Sequence, residues 1–400
     1  MSKELNCNEH PVTIAFVVHA FAPGGLERCA AWVANRLNPA AFRPIVVSLT
    51  DAPVRGWLAP DIPVVELHKG GGNSLRTVAQ LARVFSENHV DIVHSHNWPT
   101  LIECVMARRW ARTRYHVHAE HGTLPNSADT SRWRRNGRAV LMRWGLGQTN
   151  FVIAAASSIR ERVTTFCRFP RQRIVVVPNG VEIPVAAPEN EFRKKIRESL
   201  GISPNAIVLG SLGRLAPVKG FDVLIRAFEE AMVASAGDVH LLIVGDGPEW
   251  PRISEQVRRS PHRNRLHLAG HQSPACDWLR AMDIFVNSSH SEGMSLALLE
   301  AMGMGLPVVV TDVGDHGGLA VGDPPCGLTV PPADSTALAA AMKLLVTDEP
   351  LRRRLARNSQ AKQERSHSIG SMASAYESVY KSLLEKKLRF APCPTTSIEC

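Results

Sequence analysis

Two acids eight residues apart, Glu292 and Glu300, lie in the stretch SHSEGMSLALLEAMGMGLPVVV between Ser289 and Val310. The pattern predicts a turn over HSEGMS and a buried helix over LALLEAM, with Glu292 at the turn and Glu300 inside the helix. Gly293 can take the backbone conformation such a turn requires, and the amides of Met294 and Ser295 would then point out of the helix N-terminus. That arrangement suits a phosphate or a sugar hydroxyl. At 1.5 Å per residue the two acids stand about 10 Å apart. A ligand with polar groups at both ends fits that span, for example a sugar and a ribose joined by a diphosphate. The plain alternative makes Glu292 a charge favouring the helix dipole and Glu300 a surface acid. An acid flanked by LALL and AMGMG, however, needs a partner.

Three other stretches carry groups that could act on such a ligand. In GSLGRLAPVKGFDVLIRAF, a strand ends at Leu212-Gly213, and Arg214 and Lys219 follow on a loop stiffened by Gly and Pro. Two bases so placed can grip adjacent phosphates, although loop bases are often merely solvated. In FAPGGLERCAAWVANRL, Gly24 and Gly25 form a tight loop that lets backbone approach a ligand. In RYHVHAEHG, alternation puts His116 and His118 on one strand face, as core or solvated histidines, while His121 falls at the strand end beside Gly122. Neither G-x-G-x-x-G at the first strand nor G-x-x-x-x-G-K-[ST] anywhere is present, which removes the dinucleotide fingerprint and the P-loop. The histidine spacing matches no metal motif.

The elements that must position these groups alternate. Six short β-branched runs in the first half (TIAFVVHA, RPIVVSLT, VDIVHSH, YHVHAEH, NFVIAAAS, RIVVVPNG) are separated by helical patterns. Six more follow in the second half, from AIVLGSLGRL to GLTVPP. Near-continuous apolar strands joined by helices predict parallel sheets covered on both faces. The Pro-rich stretch from Pro178 to Phe192 reads as an interdomain linker. Four hundred residues also exceed one ordinary core. The expectation is two doubly wound α/β domains, 1–178 and 179–372, facing a central cleft. A docked helix over 373–390 and a loose tail over 391–400 complete the chain.

The net charge of +9 calls for anionic partners, which include phosphorylated metabolites, acidic membrane surfaces and nucleic acid. No recognition motif or aromatic ladder supports nucleic acid. No apolar run approaches the roughly 20 residues that span a bilayer. The N-terminus has acids where a signal peptide wants bases, so the expected location is cytoplasmic. The eight cysteines show no ligand spacing and read as reduced and structural. One acid-free stretch, Ser131 to Gly147, sets Trp133, Gly137, Val140, Leu141 and Trp144 along one side of a predicted helix, flanked by five arginines. It fits the headgroup layer of an anionic leaflet, with its own domain as the alternative partner.

Taken together, these residues resemble the retaining glycosyltransferases of family 4, which have the GT-B fold. Glu292 and Glu300 match that family's E-x7-E signature. Arg214 and Lys219 in GRLAPVKG match its Arg-x4-Lys pair. PGGLE, EHG, PNGV and VGDGPEW fall in the family's order, and the likeness runs from about Ile14 to the final helix. The resemblance implies a nucleotide-diphosphate sugar bound mainly by the C-terminal domain and an acceptor, a glycan or lipid-linked sugar, on the N-terminal one. It gives Arg214 and Lys219 the leaving diphosphate. Glu292, with Gly293, Met294 and Ser295, takes the donor sugar, and Glu300 the ribose. His121 takes a hydrogen bond near the reacting carbon, and Gly24 and Gly25 approach the donor. The metal-binding D-x-D of many glycosyltransferases is absent, so no metal and no cofactor are expected, and protein cations should substitute. One departure is TDVGDHGGLAVGD, where Asp315 and His316 interrupt the family's shorter Gly-Gly loop, so that loop has no assigned role. The rivals are a nucleotide-sugar epimerase of the same fold and a non-catalytic nucleotide-sugar-binding protein.

Overall fold

A computed structural model describes residues 10–22, 24–72, 74–122, 132–183, 189–232 and 237–385, with side chains omitted for 132–135 and 189–190. The expected tail over 391–400, the end of the predicted C-terminal helix over 386–390 and the N-terminal nine residues lie outside that description. The chain divides into two compact units. One runs to Pro178 and takes back the segment from Ile369; the other is Asn179–Ser368.

The first unit opens with β1 (Val12–Val18), α1 (Gly25–Arg36), β2 (Phe42–Ser48) and β3 (Val64–Glu66). It continues with α2 (Leu75–Glu87), β4 (Ile92–His96), α3 (Trp98–Ala111) and β5 (Tyr115–Glu120). Then come α4 (Arg132–Gly147), β6 (Phe151–Ala154), α5 (Ser157–Cys167) and β7 (Ile174–Val176). All strands pair in parallel, in the order β3-β2-β1-β4-β5-β6-β7. Strand β3 is one more than the six apolar runs in the sequence. Its three residues, all half-buried, are too short to register as a run.

The second unit begins with α6 (Glu189–Ser199), β8 (Ile207–Leu212), α7 (Phe221–Met232), β9 (Val239–Val244) and α8 (Trp250–Arg259). Next are β10 (Leu266–Leu268), α9 (Cys276–Leu279), β11 (Ile284–Asn287), α10 (Leu296–Gly303) and β12 (Val308–Thr311). It closes with α11 (His316–Val321), β13 (Gly327–Val330), α12 (Ser335–Thr347) and α13 (Glu349–Ser366). Its sheet is parallel too, ordered β10-β9-β8-β11-β12-β13. Helices cover both sheets, and the strands are buried on both faces, which explains their unbroken Val/Ile/Leu character. In each sheet the winding reverses beside the first strand, between β1 and β4 and between β8 and β11. The crevice outside the strand carboxyl ends at such a reversal is where open α/β sheets bind ligands.

One boundary differs from the sequence reading. The closing helix α14 is Ile369–Leu384, so it starts before residue 373, and it belongs to the first unit. Tyr376 and Tyr380 on its inner face are fully buried, and the Tyr380 hydroxyl bonds His94 Nδ1 at 2.7 Å. That buried polar contact ties α14 to β4, alongside the apolar face that Ile369, Met372, Val379 and Leu383 bury. The break between the units falls at the start of the expected linker stretch 178–192, of which 184–188 lie outside the description. Asn179 Nδ2 donates to the Met294 carbonyl at 3.3 Å, Val181 bridges Ser368, and α6 has begun by Glu189.

Candidate active site

In the second unit, Arg214 and Lys219 leave the carboxyl end of β8, and Ser288 to Ser295 leave that of β11. The two loops meet at the winding reversal. Lys219 Nζ is ion-paired with Glu292, and Ser289 Oγ donates to the same carboxylate at 3.0 Å. Ser288 Oγ donates to the Lys219 carbonyl at 3.0 Å, and His290 N–H to the Val218 carbonyl at 2.8 Å. Gly220 makes this approach feasible: its φ is +61°, and a Cβ there would stand 2.3 Å from the Ser288 oxygen. Arg214 is exposed beside them on a loop tied to the end of β9, where Leu215 N–H reaches the Asp246 carbonyl at 2.9 Å. The outcome is a half-buried acid and base, with a second base nearby, on loops that backbone contacts hold in place.

The segment 292–295 is braced from its other side by the loop without an assigned role. Asp315 N–H donates to the Gly293 carbonyl at 3.1 Å, and a Cβ on Gly314 (φ +61°) would lie 2.3 Å from that same oxygen. His316 Nε2 accepts the Ser295 amide at 3.1 Å. This corrects one expectation: the Ser295 amide is engaged by an imidazole and is not presented outward. Burial holds the His316 pKa down to about 4 against the opposing pull of Glu292, so the ring stays neutral and its Nε2 stays an acceptor. Helix α10 starts at Leu296, so Glu292 precedes it by a loop and the 1.5 Å rise does not apply between the two acids. Glu300 lies inside α10 and is 2% exposed. Its burial answers the alternative of a surface acid.

In the first unit, Gly24 caps α1 and Gly25 is its first residue. A Cβ on Gly24 would sit 2.2 Å from the Glu27 carboxylate, whose pKa burial raises. His121 is half-buried after β5. Its N–H donates to Asn97 Oδ1 at 2.9 Å, and its Nε2 lies 3.1 Å from Nδ1 of His96, with the rings stacked. His116 and His118 are core residues: both rings bond the Ser95 hydroxyl, at 2.7 and 2.8 Å. His96, Asn97 and His316 escaped the sequence reading. The signal for the first two was HSHN, four polar residues in a row at the end of β4.

Among the described residues one trio, Asp51, Glu66 and His68, brings possible metal-ligand atoms together. Glu66 already accepts from Arg55 and from the Ala52 amide, and Asp51 and His68 are exposed. In α4, Met142, Gly145 and Leu146 are buried, and a Cβ on Gly145 would press on Leu101 and Ile102 of α3. The opposite side carries Val140 (70% exposed), Leu141 and Trp144 (47%), flanked by exposed Arg138 and Arg143. Trp144 is thus about half exposed; the Trp133, Arg134 and Arg135 side chains lie outside the described residues.

Residues 23–183 match the family described as Glycosyltransferase Family 4, and residues 206–348 match Glycosyl transferases group 1. A D-inositol 3-phosphate glycosyltransferase of Stackebrandtia nassauensis is 30% identical over 293 residues, 67% of this chain and 63% of that protein's length. An N-acetyl-alpha-D-glucosaminyl L-malate synthase of Bacillus anthracis is 27% identical over 325 residues, 78% of this chain and 79% of its own. The crystal structure of Anabaena Alr3699/HepE in complex with UDP and glucose superposes with a TM-score of 0.79. It covers 92% of this chain and 99% of that one at 22% identity. With both halves of the chain matched and both units built as Rossmann-like parallel sheets, the chain belongs to glycosyltransferase family 4 and has the GT-B fold.

Proposed function

We propose that this protein transfers a hexosyl group from a nucleotide-diphosphate sugar to a glycan or lipid-linked acceptor, with retention of anomeric configuration, in surface polysaccharide synthesis. The observation that carries the reading is Lys219 paired with Glu292, beside Arg214, at the winding reversal of the second unit. Breaking a sugar–diphosphate bond moves negative charge onto the leaving group, and fixed cations there stabilise the transition state directly. Glu292, held by Ser289 and Lys219, is placed to accept from donor hydroxyls. In this reading Glu300 accepts from the ribose and His121 donates to the sugar near the reacting carbon. A sensor would need the same binding groups; multiple turnover with donor and acceptor separates the two, and product analysis separates an epimerase.

The reaction is expected to retain configuration and to persist in excess chelator, because protein cations rather than a D-x-D metal meet the diphosphate. Proton NMR of fresh product reports the anomer. An inverted linkage, or activity abolished by chelator, counts against the reading.

The exposed stripe of α4 supports a lipid-linked acceptor at an anionic leaflet. Each base near such a surface is worth about 1 kcal/mol. Neutralising Arg138 and Arg143 to Gln should therefore weaken co-sedimentation with anionic vesicles by roughly thirtyfold at low salt. Neutral vesicles should bind neither protein. Equal binding of variant and wild type to anionic vesicles would exclude this stripe as the contact.

A further inference from the structure

Asn97 sits where β4 gives way to α3, with φ +57° and ψ 163°. That region of backbone space is close to exclusive to glycine, because a Cβ crowds the neighbouring carbonyls there. A residue with a Cβ is held in it only when its surroundings over-determine the conformation. Three contacts do so here. The Asn97 N–H donates to the Ala119 carbonyl on β5 at 2.8 Å, its own carbonyl accepts from Thr100 Oγ1 at 3.1 Å, and its side-chain oxygen accepts the His121 N–H at 2.9 Å. Glycine would satisfy the first two without strain. Only the third needs a side chain.

We infer that Asn97 is a positioning residue for His121, and that its strained backbone is retained because the conformation aims the amide oxygen at the His121 N–H. The inference rests on the reading of His121 as a donor-sugar contact. The adjacent residue serves the same end. His96, buried on β4, presents Nδ1 to Nε2 of His121 at 3.1 Å and stacks on it, with centroids 5.3 Å apart. Burial, with the neighbouring His94 and His121, holds the His96 ring neutral, so it can share one proton with its partner without adding charge. The HSHN turn thus grips His121 twice, once through its backbone and once through its ring. The rest of the turn is ordinary structure: Thr100 Oγ1 also bonds the His96 carbonyl, at 2.9 Å.

Three substitutions separate this role from a structural one. Asn97→Gly and Asn97→Ala both delete the acceptor, but only alanine keeps the strain. Asn97→Asp keeps the acceptor. If the inference holds, stability follows the Cβ, and Asn97→Ala should melt about 3 °C or more below Asn97→Gly. Activity follows the acceptor instead. The Gly and Ala variants should lose about tenfold in kcat alike, with the donor KM within about threefold of wild type, and Asp should restore turnover. Wild-type kcat in Asn97→Gly would overturn the inference. So would a Gly variant that melts no higher than Ala, since the backbone would then carry no Cβ strain. His121→Ala run in parallel keeps the underlying reading distinct. Full turnover in that variant would refute the role of His121 itself, whereas a loss there with none in Asn97→Gly refutes only the positioning.

Discussion

Lys219→Ala should turn over about a hundredfold more slowly than wild type, while its urea midpoint stays close to the wild-type value. Removing one fixed stabiliser of developing charge costs on the order of 3 kcal/mol in the transition state. Two features put Lys219 in that class. It stands at the carboxyl end of β8, at the winding reversal, and its carbonyl is fixed by Ser288 Oγ while its ammonium meets Glu292. The ammonium is thus positioned before any diphosphate arrives, and little reorganisation remains for the reaction itself. The same pairing adds a second consequence. In Lys219→Ala the Glu292 carboxylate keeps only the Ser289 hydroxyl among these contacts and repels an incoming diphosphate. Part of the loss should therefore appear in the donor KM. Adding Glu292→Gln should recover that binding part without recovering kcat, a non-additivity expected of groups in direct contact. Arg214→Ala should also fall strongly, but without this coupling, because Arg214 is exposed. Near-normal kcat in folded Lys219→Ala would remove the diphosphate role.

What the sequence showed and what it hid follow from the range of the interactions involved. Continuous apolar strands between helices encode a doubly wound sheet locally, so the parallel architecture was legible from periodicity. The loop bases and acids were legible because each lies just past a strand end. Their pairing was not: Lys219 and Glu292 are 73 residues apart, and only the adjacency of β8 and β11 joins them. Helix α14 reads as amphipathic but cannot announce which sheet it covers. That shows only in contacts of long range, such as the hydrogen bond across 286 residues from Tyr380 to His94. His316 looked like an interruption in a glycine loop, because its use is to accept an amide from a different loop. Asn97 stood in the polar run HSHN, but its role did not show there, because backbone strain leaves no mark on composition.

The buried histidines should dominate stability in acid. His94, His96 and His116 are completely buried, and desolvation, with repulsion among neighbouring imidazoles, holds each well below its ordinary value. In the second unit His316 is held at about 4, chiefly by burial. An unfolded histidine titrates near 6.5. Between those two values the unfolded chain binds a proton that the folded chain refuses, so stability is whole above about pH 6.5 and is lost as the pH falls. For His316 alone the loss approaches about 3 kcal/mol at pH 4, taking roughly 1.4 kcal/mol for each unit of depression. The three histidines of the first unit act in the same sense. Because they are neighbours, each proton that enters opposes the next, which spreads their effect over a wide pH range. Glu27 and Asp91 work the other way, since burial raises both and the folded state takes up their protons earlier. They are outnumbered. Urea titrations at pH 7.5, 6.5, 5.5 and 4.5 should give midpoints that are flat over the first interval and then fall steeply. His316→Gln should flatten the acid limb of whichever transition reports the second unit, because glutamine can accept the Ser295 amide without taking up a proton. A midpoint unchanged down to pH 4.5 would mean that these rings reach solvent and are not the neutral core that their burial implies.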